Sequence, residues 1–377
     1  MMTEDVYNKS GCPVFSPGTE KHLEQHEKVA AIMAYSAVAV ISACGNGAVG
    51  FIILYFARMR TPTNYFLLTL AASDISMAAL CIPFSYWPVL ILQYWPFGAV
   101  MCKLVSFLKV TAVMCSAHTL IAISVDRFAA IMFPLHHHMT TRMALFIIAT
   151  ICTCDILIAS PVLVVSTIIQ YPPNSTETAE QCIESWSTTS GFTYSTIVMA
   201  LQYFFPLVTL SATYLAIGCK LWITRMPGET GSNFEGTRKK VKRKAIAMMF
   251  AVSLMYAVCW LPSNAFTMLR TRCPSYSQYQ YILYVWWGCH FAGVCQCAVN
   301  PFIYFFASER FREGYAYIFR RCPCVRYQPK ELAIAQNNST IRGLETSRLK
   351  PYVRDDGEVS SATDKLLKKC YNSESAM

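Results

Sequence analysis

The chain has 377 residues, of which 54% are hydrophobic and only 14% are charged, and its formal net charge is +10. Soluble globular proteins carry about 25% charged residues, so this composition excludes an ordinary soluble protein of two or three domains. The basic residues cluster in short segments between long apolar runs, which favours a membrane protein over a nucleic-acid-binding protein.

Seven apolar segments reach the roughly 20 residues needed to cross a bilayer as an α-helix. They cover residues 29–56, 63–92, 99–131, 143–169, 192–219, 245–269 and 277–307. A membrane β-barrel would instead show shorter segments of alternating polarity. We therefore predict an all-α membrane protein, with a seven-transmembrane helix bundle at residues 29–307 and an N-terminal tail at residues 1–28.

Lysine and arginine predict the orientation of the bundle, because they collect on the cytoplasmic side of a membrane. Residues 220–244 end in the run RKKVKRK and residues 308–321 carry four arginines, whereas residues 170–191 are acidic. Glycosylation sequons begin at Asn8 and Asn174, which both fall on the predicted outer side. The N-terminus is therefore predicted to be extracellular and the C-terminus cytoplasmic, in the plasma membrane.

The chain has 17 cysteines, and most lie within the predicted helices. Four lie in or beside the oxidising compartment, where disulfides persist. Cys102 at the start of the third helix and Cys182 in the acidic segment are predicted to form one disulfide. Cys12 and Cys273 are left as a second pair, which would tie the N-terminal tail to the third outer loop.

Short motifs along the seven segments resemble those of the rhodopsin-like (class A) G protein-coupled receptors. In chain order they are GNGAVG with Asn46, LAASD with Asp74, Cys102, Asp126-Arg127-Phe128, Pro161, Pro206 with Tyr214, CWLP at 259–262, NPFIY at 300–304, and then Phe311. The resemblance covers residues 28–322. It implies a receptor that transmits ligand binding to a heterotrimeric G protein and is not an enzyme, with a short amphipathic eighth helix at residues 308–322.

The chain departs from this family in the third, fourth and sixth helices. The family usually has a tryptophan shortly before Pro161, but this chain has none there, and Asp155 in the same stretch has no evident partner. Tyr256 stands where the family usually has phenylalanine, and Ala117 replaces a larger aliphatic residue. These changes leave the predicted fold intact and affect the packing at the centre of the bundle.

Asp74 is a carboxylate in the middle of the second helix, where an unpaired charge is costly. The resemblance implies that it binds a sodium ion as an allosteric modulator, together with Ser116 and Asn300; no other metal or cofactor is predicted. Gln296 and Cys297 stand where asparagine and serine are more usual, which argues against tight binding. A hydrogen-bonded polar core without an ion is the alternative.

Lys109 lies about two helical turns into the membrane from Cys102, at the floor of the predicted ligand pocket. Receptors for amine transmitters need a carboxylate at this depth, whereas a lysine repels the ammonium group of such a ligand. By the resemblance, an opsin needs a Schiff-base lysine in the seventh helix, where this chain has Val294. Lys109 is therefore a predicted ligand contact, with snorkelling or pairing to a neighbour as the alternative.

Short stretches at the outer end resemble those of receptors for neuropeptide Y, neuropeptide FF and tachykinin-like peptides. These are CIESW at 182–186, QYFFPL at 202–207 and WPFG at 95–98. The resemblance implies a peptide ligand, and Glu184 is the preferred contact because the nearby disulfide would hold it over the pocket. Further predicted lining residues are Gln93, Trp260, Asn264, Arg270, Trp287 and His290. A chemosensory, small-molecule or lipid receptor of the same fold is the alternative.

Asp126 and Arg127 end the third helix at the predicted cytoplasmic surface, where the resemblance implies a G protein switch. Asp126 is expected to hold Arg127 at rest, satisfying both charges at a partly wet boundary. Many family members add a carboxylate at the base of the sixth helix, and this chain has Lys242 there, so measurable ligand-independent signalling is expected. The other switch residues implied by the resemblance are Tyr214, Asn300, Pro301 and Tyr304.

The segment after the seventh helix is predicted to serve regulation in the cytoplasm. Palmitoylation of Cys322 or Cys324 would anchor the amphipathic helix to membrane lipids. Residues 323–377 are polar and predicted to be disordered, with serine and threonine clusters that receptor kinases could phosphorylate to recruit arrestin. The predicted partners are thus a peptide ligand, a G protein, receptor kinases, arrestin and membrane lipids.

Overall fold

The structure is a computed structural model that describes residues 12–13, 21–133, 139–171, 179–223 and 233–320. For a few of these it describes the backbone alone, namely residues 171, 179, 188, 221–223, 233–243, 245 and 274. Seven helices in the described ranges are long and apolar enough to cross a membrane. The seven predicted spans are therefore confirmed, and the bundle is all-helical apart from one hairpin.

The secondary structure follows the predicted order of spans. The elements are α1 (Gln25–Tyr55), α2 (Pro62–Leu92), α3 (Gly98–Met132), α4 (Thr141–Val165), β1 (Ser166–Tyr171), β2 (Ala179–Glu184), α5 (Thr188–Ile223), α6 (Asn233–Arg272), α7 (Ile282–Ala307) and α8 (Glu309–Ile318). Both disulfides lie at the end of the bundle that carries the hairpin, which we call the disulfide end. The opposite end, which carries Asp126 and Arg127, is the Arg127 end.

Two of the long helices contain wider turns beside their prolines. In α2, π-helical turns at Met77–Cys81 and Trp87–Leu92 flank a short segment with Pro83. In α5, a π-helical turn at Ala200–Phe204 comes shortly before Pro206. Proline lacks an N–H and cannot bond the carbonyl four residues earlier, so the backbone hydrogen bonds must be rearranged at these places.

The end of the fourth predicted span is wrong. The prediction ran to residue 169, but α4 ends at Val165 and the following residues form β1. Strand β1 pairs with β2 in an antiparallel hairpin that sets Ile168 opposite Cys182. Because Cys182 is bonded to Cys102, the hairpin is held against the first turn of α3. The half-buried apolar residues of β1 thus belong to a strand pairing and not to a longer helix.

The second disulfide joins Cys12 to Cys273, between α6 and α7. The Cα–Cα distance is 5.6 Å here and in the first disulfide, within the usual range. The predicted start of the seventh span at residue 277 is also wrong, since α7 begins at Ile282. A proline-led 3-10 helix, Pro274–Gln278, and a turn occupy the connection from Cys273.

The buried core divides into two main clusters along the bundle. One lies towards the Arg127 end and includes Ala117, Tyr256 and Tyr304, and the other lies towards the disulfide end and includes Tyr35 and Tyr86. A third, smaller cluster packs residues of β1 and β2 on the start of α3, beside the first disulfide. The hairpin is thereby part of the folded core and not a free loop.

Helices α1 and α7 approach closely through one glycine. A Cβ atom added to Gly45 would lie 2.7 Å from the ring of Pro301, too close for a larger residue. One residue along, the Asn46 side chain donates a hydrogen bond of 2.9 Å to the carbonyl of Cys297. The glycine and the asparagine of the GNGAVG motif therefore hold α1 against the proline-containing half of α7.

The short helix α8 packs against α1 and α7. Its N-terminus is capped by the Ser308 hydroxyl, which accepts the N–H of Phe311 at 3.5 Å. It buries Phe311, Gly314 and Tyr315, which share one face of the helix. Gly314 lies so close to Ile52 that a Cβ atom there would be 2.8 Å away. Burial raises the pKa of the Tyr315 phenol, so this hydroxyl stays protonated and remains a hydrogen-bond donor.

Candidate functional site

The hairpin is fixed at the disulfide end of the bundle by two contacts. The first disulfide joins β2 to α3, and the backbone N–H of Trp95 donates to the carbonyl of Glu180 at 2.6 Å. Glu184 ends β2 two residues after Cys182, and its side chain is exposed. Its Oε2 atom accepts a hydrogen bond of 2.9 Å from the Trp186 indole. Glu184 is thus held in place with carboxylate surface still accessible.

Lys109 faces the interior of the bundle from α3. Ala112, Val113 and Ser116 lie one to two turns further along the same helical face and line an interior cavity. The ammonium group lies near Cys81 of α2 and near His290 of α7. In the part of the chain that the structure describes, no carboxylate forms an ion pair with Lys109. The exposed Lys109 side chain is therefore open to a ligand.

His290 belongs to a cluster that joins α1 to α7. Its Nδ1 atom shares a hydrogen bond of 2.9 Å with the Tyr35 hydroxyl. Its ring stacks on Trp286 with centroids 4.6 Å apart, and Tyr35 stacks in turn on Tyr86 at 4.4 Å. Predicted neighbour Trp287 packs against the same buried cluster. His290 is therefore engaged by protein groups on two sides.

Gln93 and Arg270 lie at the rim of the disulfide end, where each bonds a loop residue. Gln93 follows α2 in the left-handed conformation, with φ 64°, and its amide nitrogen lies 2.9 Å from Nδ1 of His22. Arg270 donates from Nε to the Ser277 hydroxyl at 3.1 Å. Both are exposed or half-buried and belong to the entrance, not to the floor, of the site.

Asn264 is part of a contact between α5 and α6 that sequence reasoning did not reveal. Its Oδ1 accepts a hydrogen bond of 3.2 Å from the Gln202 side chain, and its Nδ2 donates to the carbonyl of Trp260 at 2.9 Å. The Trp260 ring lies over Gly293 of α7, where a Cβ atom would be 3.4 Å away. Trp260 and Asn264 are thus brought together at the centre of the site, with Gln202 as an additional member.

Asp74 lies beside a small polar cavity beneath this site. The cavity is lined by Ser73, Asp74, Met77, Ala112, Val113, Ser116, Trp260, Gln296 and Cys297. Asp74 is 1% exposed, and its Oδ2 accepts a hydrogen bond of 2.7 Å from the Asn300 side chain. Asn300 Oδ1 and Gln296 Nε2 are buried with no hydrogen-bond partner among the described residues.

These oxygens fit a small hard cation. Such ions prefer carboxylate, hydroxyl and amide oxygens. Asp74 and Ser116 line the cavity, and Asn300 is joined to Asp74 and retains a buried, unpartnered carbonyl oxygen. The three residues of the predicted sodium site are therefore close enough to form one polar cluster.

At the Arg127 end, the adjacent charges are paired. Arg127 Nε donates to Asp126 Oδ2 at 2.9 Å, and its Nη2 contacts the same oxygen. The Thr63 hydroxyl of α2 donates to Asp126 Oδ2 at 3.0 Å and also accepts from Arg127 Nη2. Asp126 is 2% exposed. The arginine is thus held by a three-residue cluster, of which the Thr63 hydroxyl was not predicted.

Tyr214 and Tyr304, two further predicted switch residues, form no hydrogen bond with Arg127 among the described residues, and Asn300 is bonded to Asp74 instead. The Tyr214 hydroxyl lies 3.4 Å from the Ser253 hydroxyl of α6. Tyr304 is buried and stacks on Phe311, and its hydroxyl has no hydrogen-bond partner within the described ranges. The side chain of Lys242 lies outside the described residues, so its predicted repulsion of the arginine stays a prediction.

Asp155 has a partner, contrary to the sequence analysis. Its Oδ1 lies 2.7 Å from Nδ1 of His118, which projects from α3 towards α4. Asp155 is 0% exposed, and its Oδ2 has no hydrogen-bond partner among the described residues. A histidine within an otherwise apolar helix was a sequence signal for a polar partner, but it did not identify which helix supplies that partner.

Several predicted modification sites lie outside the described residues. These are the sequon residues Asn8 and Asn174, the cysteines Cys322 and Cys324, and the tail at 323–377. Glycosylation, palmitoylation and phosphorylation therefore stay predictions.

Comparison with known proteins gives a family match over most of the bundle. The family described as 7 transmembrane receptor (rhodopsin family) matches residues 45–304. This range runs from the glycine that contacts Pro301 to the buried tyrosine of the NPFIY motif. It includes the first disulfide, the polar cavity and the Arg127 cluster.

Individual proteins are similar over a longer stretch. The chain is 37% identical to the RYamide receptor of Drosophila melanogaster over 302 residues, covering 79% of this chain and 65% of that receptor. It is 36% identical to neuropeptide receptor 22 of Caenorhabditis elegans over 361 residues, covering 91% and 82%. It is 33% identical to the human neuromedin-K receptor over 329 residues, covering 84% and 69%.

Proposed function

This chain belongs to the rhodopsin family of seven-transmembrane receptors, and we propose that it is the receptor for an extracellular neuropeptide that signals to a heterotrimeric G protein. Membership of a receptor family agrees with the prediction that the chain is not an enzyme. The observation that carries the proposal is the similarity to several receptors named for peptides or neuropeptides, over most of the chain.

The geometry of the disulfide end supports a peptide ligand. Its rim carries an accessible carboxylate at Glu184 and a guanidinium at Arg270, while an exposed Lys109 lies about two turns along α3 from Cys102. A peptide offers charged side chains and many carbonyl oxygens along its length, so it can bind both the carboxylate and the two cationic groups. An amine transmitter would place its ammonium against Lys109, and like charges repel.

The proposed mechanism is a shift between two packings of the bundle. The peptide binds among α3, α6, α7 and the hairpin, and its higher affinity for one packing sets the size of the shift. Pro262 interrupts the hydrogen bonds of α6 beside Trp260, which lets the Arg127 half of that helix swing outward. Arg127 then leaves Asp126 and Thr63, and the opened face receives the G protein.

The proposed location is the plasma membrane, with the disulfide end outside the cell. Disulfides persist in the oxidising exterior, and the basic segments lie at the other end. In this orientation the cytoplasmic side receives the G protein, receptor kinases and arrestin, and α8 rests on membrane lipids. Expression with epitope tags at each terminus, stained with and without permeabilisation, tests it.

A sodium ion is proposed as an allosteric modulator at the polar cavity. Asp74, Ser116 and Asn300 would hold it, and its charge would offset that of the buried carboxylate. Because the ion would favour the packing in which these helices are close together, replacing sodium with choline in the medium should increase peptide affinity. Equal affinity in the two media would contradict the site.

A ligand screen tests the proposed function directly. Transfected cells are exposed to synthetic peptides ending in Arg-Tyr-amide, to tachykinin-like peptides, and to panels of amines and lipids, with calcium and cyclic AMP as readouts. We expect activation by at least one peptide. Robust activation by amines or lipids with no active peptide would contradict the proposal.

Charge reversal at Glu184 tests the proposed contact. We expect Glu184→Lys to lower the potency of an active Arg-containing peptide about tenfold or more, because a charge-assisted hydrogen bond becomes a repulsion. Glu180→Lys makes the same change on the same exposed strand, outside the contact, and should alter potency much less. Equal potency of Glu184→Lys and the unmodified receptor at matched surface density would remove Glu184 from the site.

Thr63→Val tests the cluster that holds Arg127. The substitution removes the hydroxyl that bonds both Asp126 and Arg127 and keeps the shape of the side chain. The loss of about 0.5–1.5 kcal/mol should increase ligand-independent signalling about two- to tenfold. Thr69→Val on the same helix, where the hydroxyl donates to the carbonyl of Tyr65 within α2, is the control. Equal signalling by the two variants would rule out a restraining role for Thr63.

A further inference from the structure

Helix α5 contains a backbone carbonyl that lacks its α-helical donor. Pro206 has no N–H, so the carbonyl of Gln202, four residues earlier, lacks its usual α-helical donor. An unsatisfied carbonyl inside a membrane-embedded bundle costs about 1–3 kcal/mol or more. A donor other than the usual α-helical N–H therefore stabilises the helix at this point.

The donor is the hydroxyl of Tyr256 on α6. Its O–H donates to the Gln202 carbonyl at 2.6 Å, and the side chain is 2% exposed. Ala117 of α3 lies in the same buried cluster as Tyr256. The two residues that depart from the family at the centre of the bundle thus lie in one buried cluster, and Tyr256 brings a hydroxyl to it.

Gln202 bonds α6 a second time through its side chain. The amide donates to Asn264 at 3.2 Å, and Asn264 donates to the carbonyl of Trp260. Tyr256, Trp260 and Asn264 are spaced four residues apart and therefore share one face of α6. A continuous chain of hydrogen bonds consequently runs from the ligand site to the core, through Gln202.

Pro262 lies between the two attachment points on α6. Asn264 is on the disulfide side of this proline, and Tyr256 is on the side that leads to Arg127. A swing of α6 at Pro262 can leave the first attachment in place while it pulls Tyr256 away from Gln202. The Tyr256 bond therefore opposes the swing, as does the bond from the Tyr203 hydroxyl to the carbonyl of Ala257.

We propose that Tyr256 is a positioning residue whose hydroxyl latches α6 to the proline-freed carbonyl of α5 while Arg127 is held by its own cluster. A ligand that contacts Gln202 or Asn264 shifts Gln202 and releases the latch. This inference rests on the proposed function, and it adds a specific link between ligand site and switch.

Removal of the hydroxyl is the first test. At equal surface density, Tyr256→Phe should increase ligand-independent calcium or cyclic AMP signalling about two- to tenfold. Tyr203→Phe is the matched control, because the Tyr203 hydroxyl also joins α5 to α6, at the carbonyl of Ala257, 2.9 Å away. That carbonyl faces Leu261, whose N–H remains available, so we expect a smaller increase. Signalling by Tyr256→Phe at the level of the unmodified receptor would overturn the latch.

A double variant separates a latch from a structural role. In Pro206→Ala/Tyr256→Phe, the N–H of residue 206 supplies the donor that the Gln202 carbonyl has lost. In this variant the Gln202 carbonyl again has a hydrogen-bond donor, so surface expression should be normal. The hydrogen bond of Tyr256 between α5 and α6 is still absent. We expect ligand-independent signalling to stay raised relative to the unmodified receptor. A return to the unmodified level would show that the hydroxyl only satisfies a carbonyl, and the proposal would fail.

A distance measurement keeps the latch separate from the proposed function. Fluorophores attached through unnatural amino acids at Met143 of α4 and Phe250 of α6, both exposed, report the swing of α6 without any signalling assay. Tyr256→Phe should lengthen this distance, and Tyr203→Phe should change it less. An unchanged distance would overturn the latch. A longer distance with no G protein response from any variant or peptide would count against the proposed function alone.

Discussion

His118→Leu is expected to remove most of the receptor from the cell surface. The substitution leaves Asp155, which is 0% exposed, without the ring that bonds its Oδ1, while its Oδ2 already lacks a described partner. Breaking a buried pair by removing one member costs about 3–5 kcal/mol, because an uncompensated polar group remains. Surface staining and thermal unfolding of the purified receptor in detergent measure the effect.

The reverse substitution and the double variant provide the controls. Asp155→Leu should be less damaging, because the His118 side chain is 18% exposed and can remain neutral. His118→Leu/Asp155→Leu should recover surface expression, since a buried pair can often be replaced by apolar residues without loss. If the double variant is as poor as His118→Leu, apolar packing between α3 and α4, and not the polar pair, determines stability there.

Cys182→Ser is expected to abolish the response to an activating peptide. The first disulfide holds β2 against α3 and thereby positions Glu184. Loss of a native disulfide costs about 2–5 kcal/mol, and here the freed strand would also move the proposed contact. Peptide potency and maximal response at matched surface density measure the effect, and Cys102→Ser should behave in the same way.

The second disulfide offers a control at the same end of the bundle. Cys12→Ser/Cys273→Ser frees the N-terminal segment but leaves the hairpin attached to α3. We expect this double variant to retain most of the peptide response. If the double variant loses the peptide response as completely as Cys182→Ser does, the first disulfide does not act by positioning the hairpin.

The ends of two helices could not be predicted from the hydrophobic pattern of the sequence. Residues 166–169 continue the apolar run of α4, and hydrophobicity alone assigned them to the helix. They form a strand because β2 is held opposite them by Cys182. The start of α7 was misplaced for a similar reason, since the aromatic residues after Pro274 are apolar enough to resemble a span.

Only some of the polar contacts within the bundle could be predicted from the sequence. Asp126 and Arg127 are adjacent in the chain, so their pairing followed from the sequence, as did the isolation of Asp74 in an apolar segment. Thr63 carried no comparable signal, and His118 indicated a polar partner without identifying the helix that supplies it. The role of each depends on the partner helix that it faces.

The number and order of the membrane spans, the family motifs and the cysteine pairs were determined by the sequence alone. A bilayer makes this possible, because a span must be long and apolar in its own residues, whatever surrounds it. The links from Gln202 to Tyr256, from His118 to Asp155 and from Thr63 to Arg127 were decided only by tertiary structure. They depend on how each helix is rotated and on how its prolines redirect the backbone, which no single segment specifies.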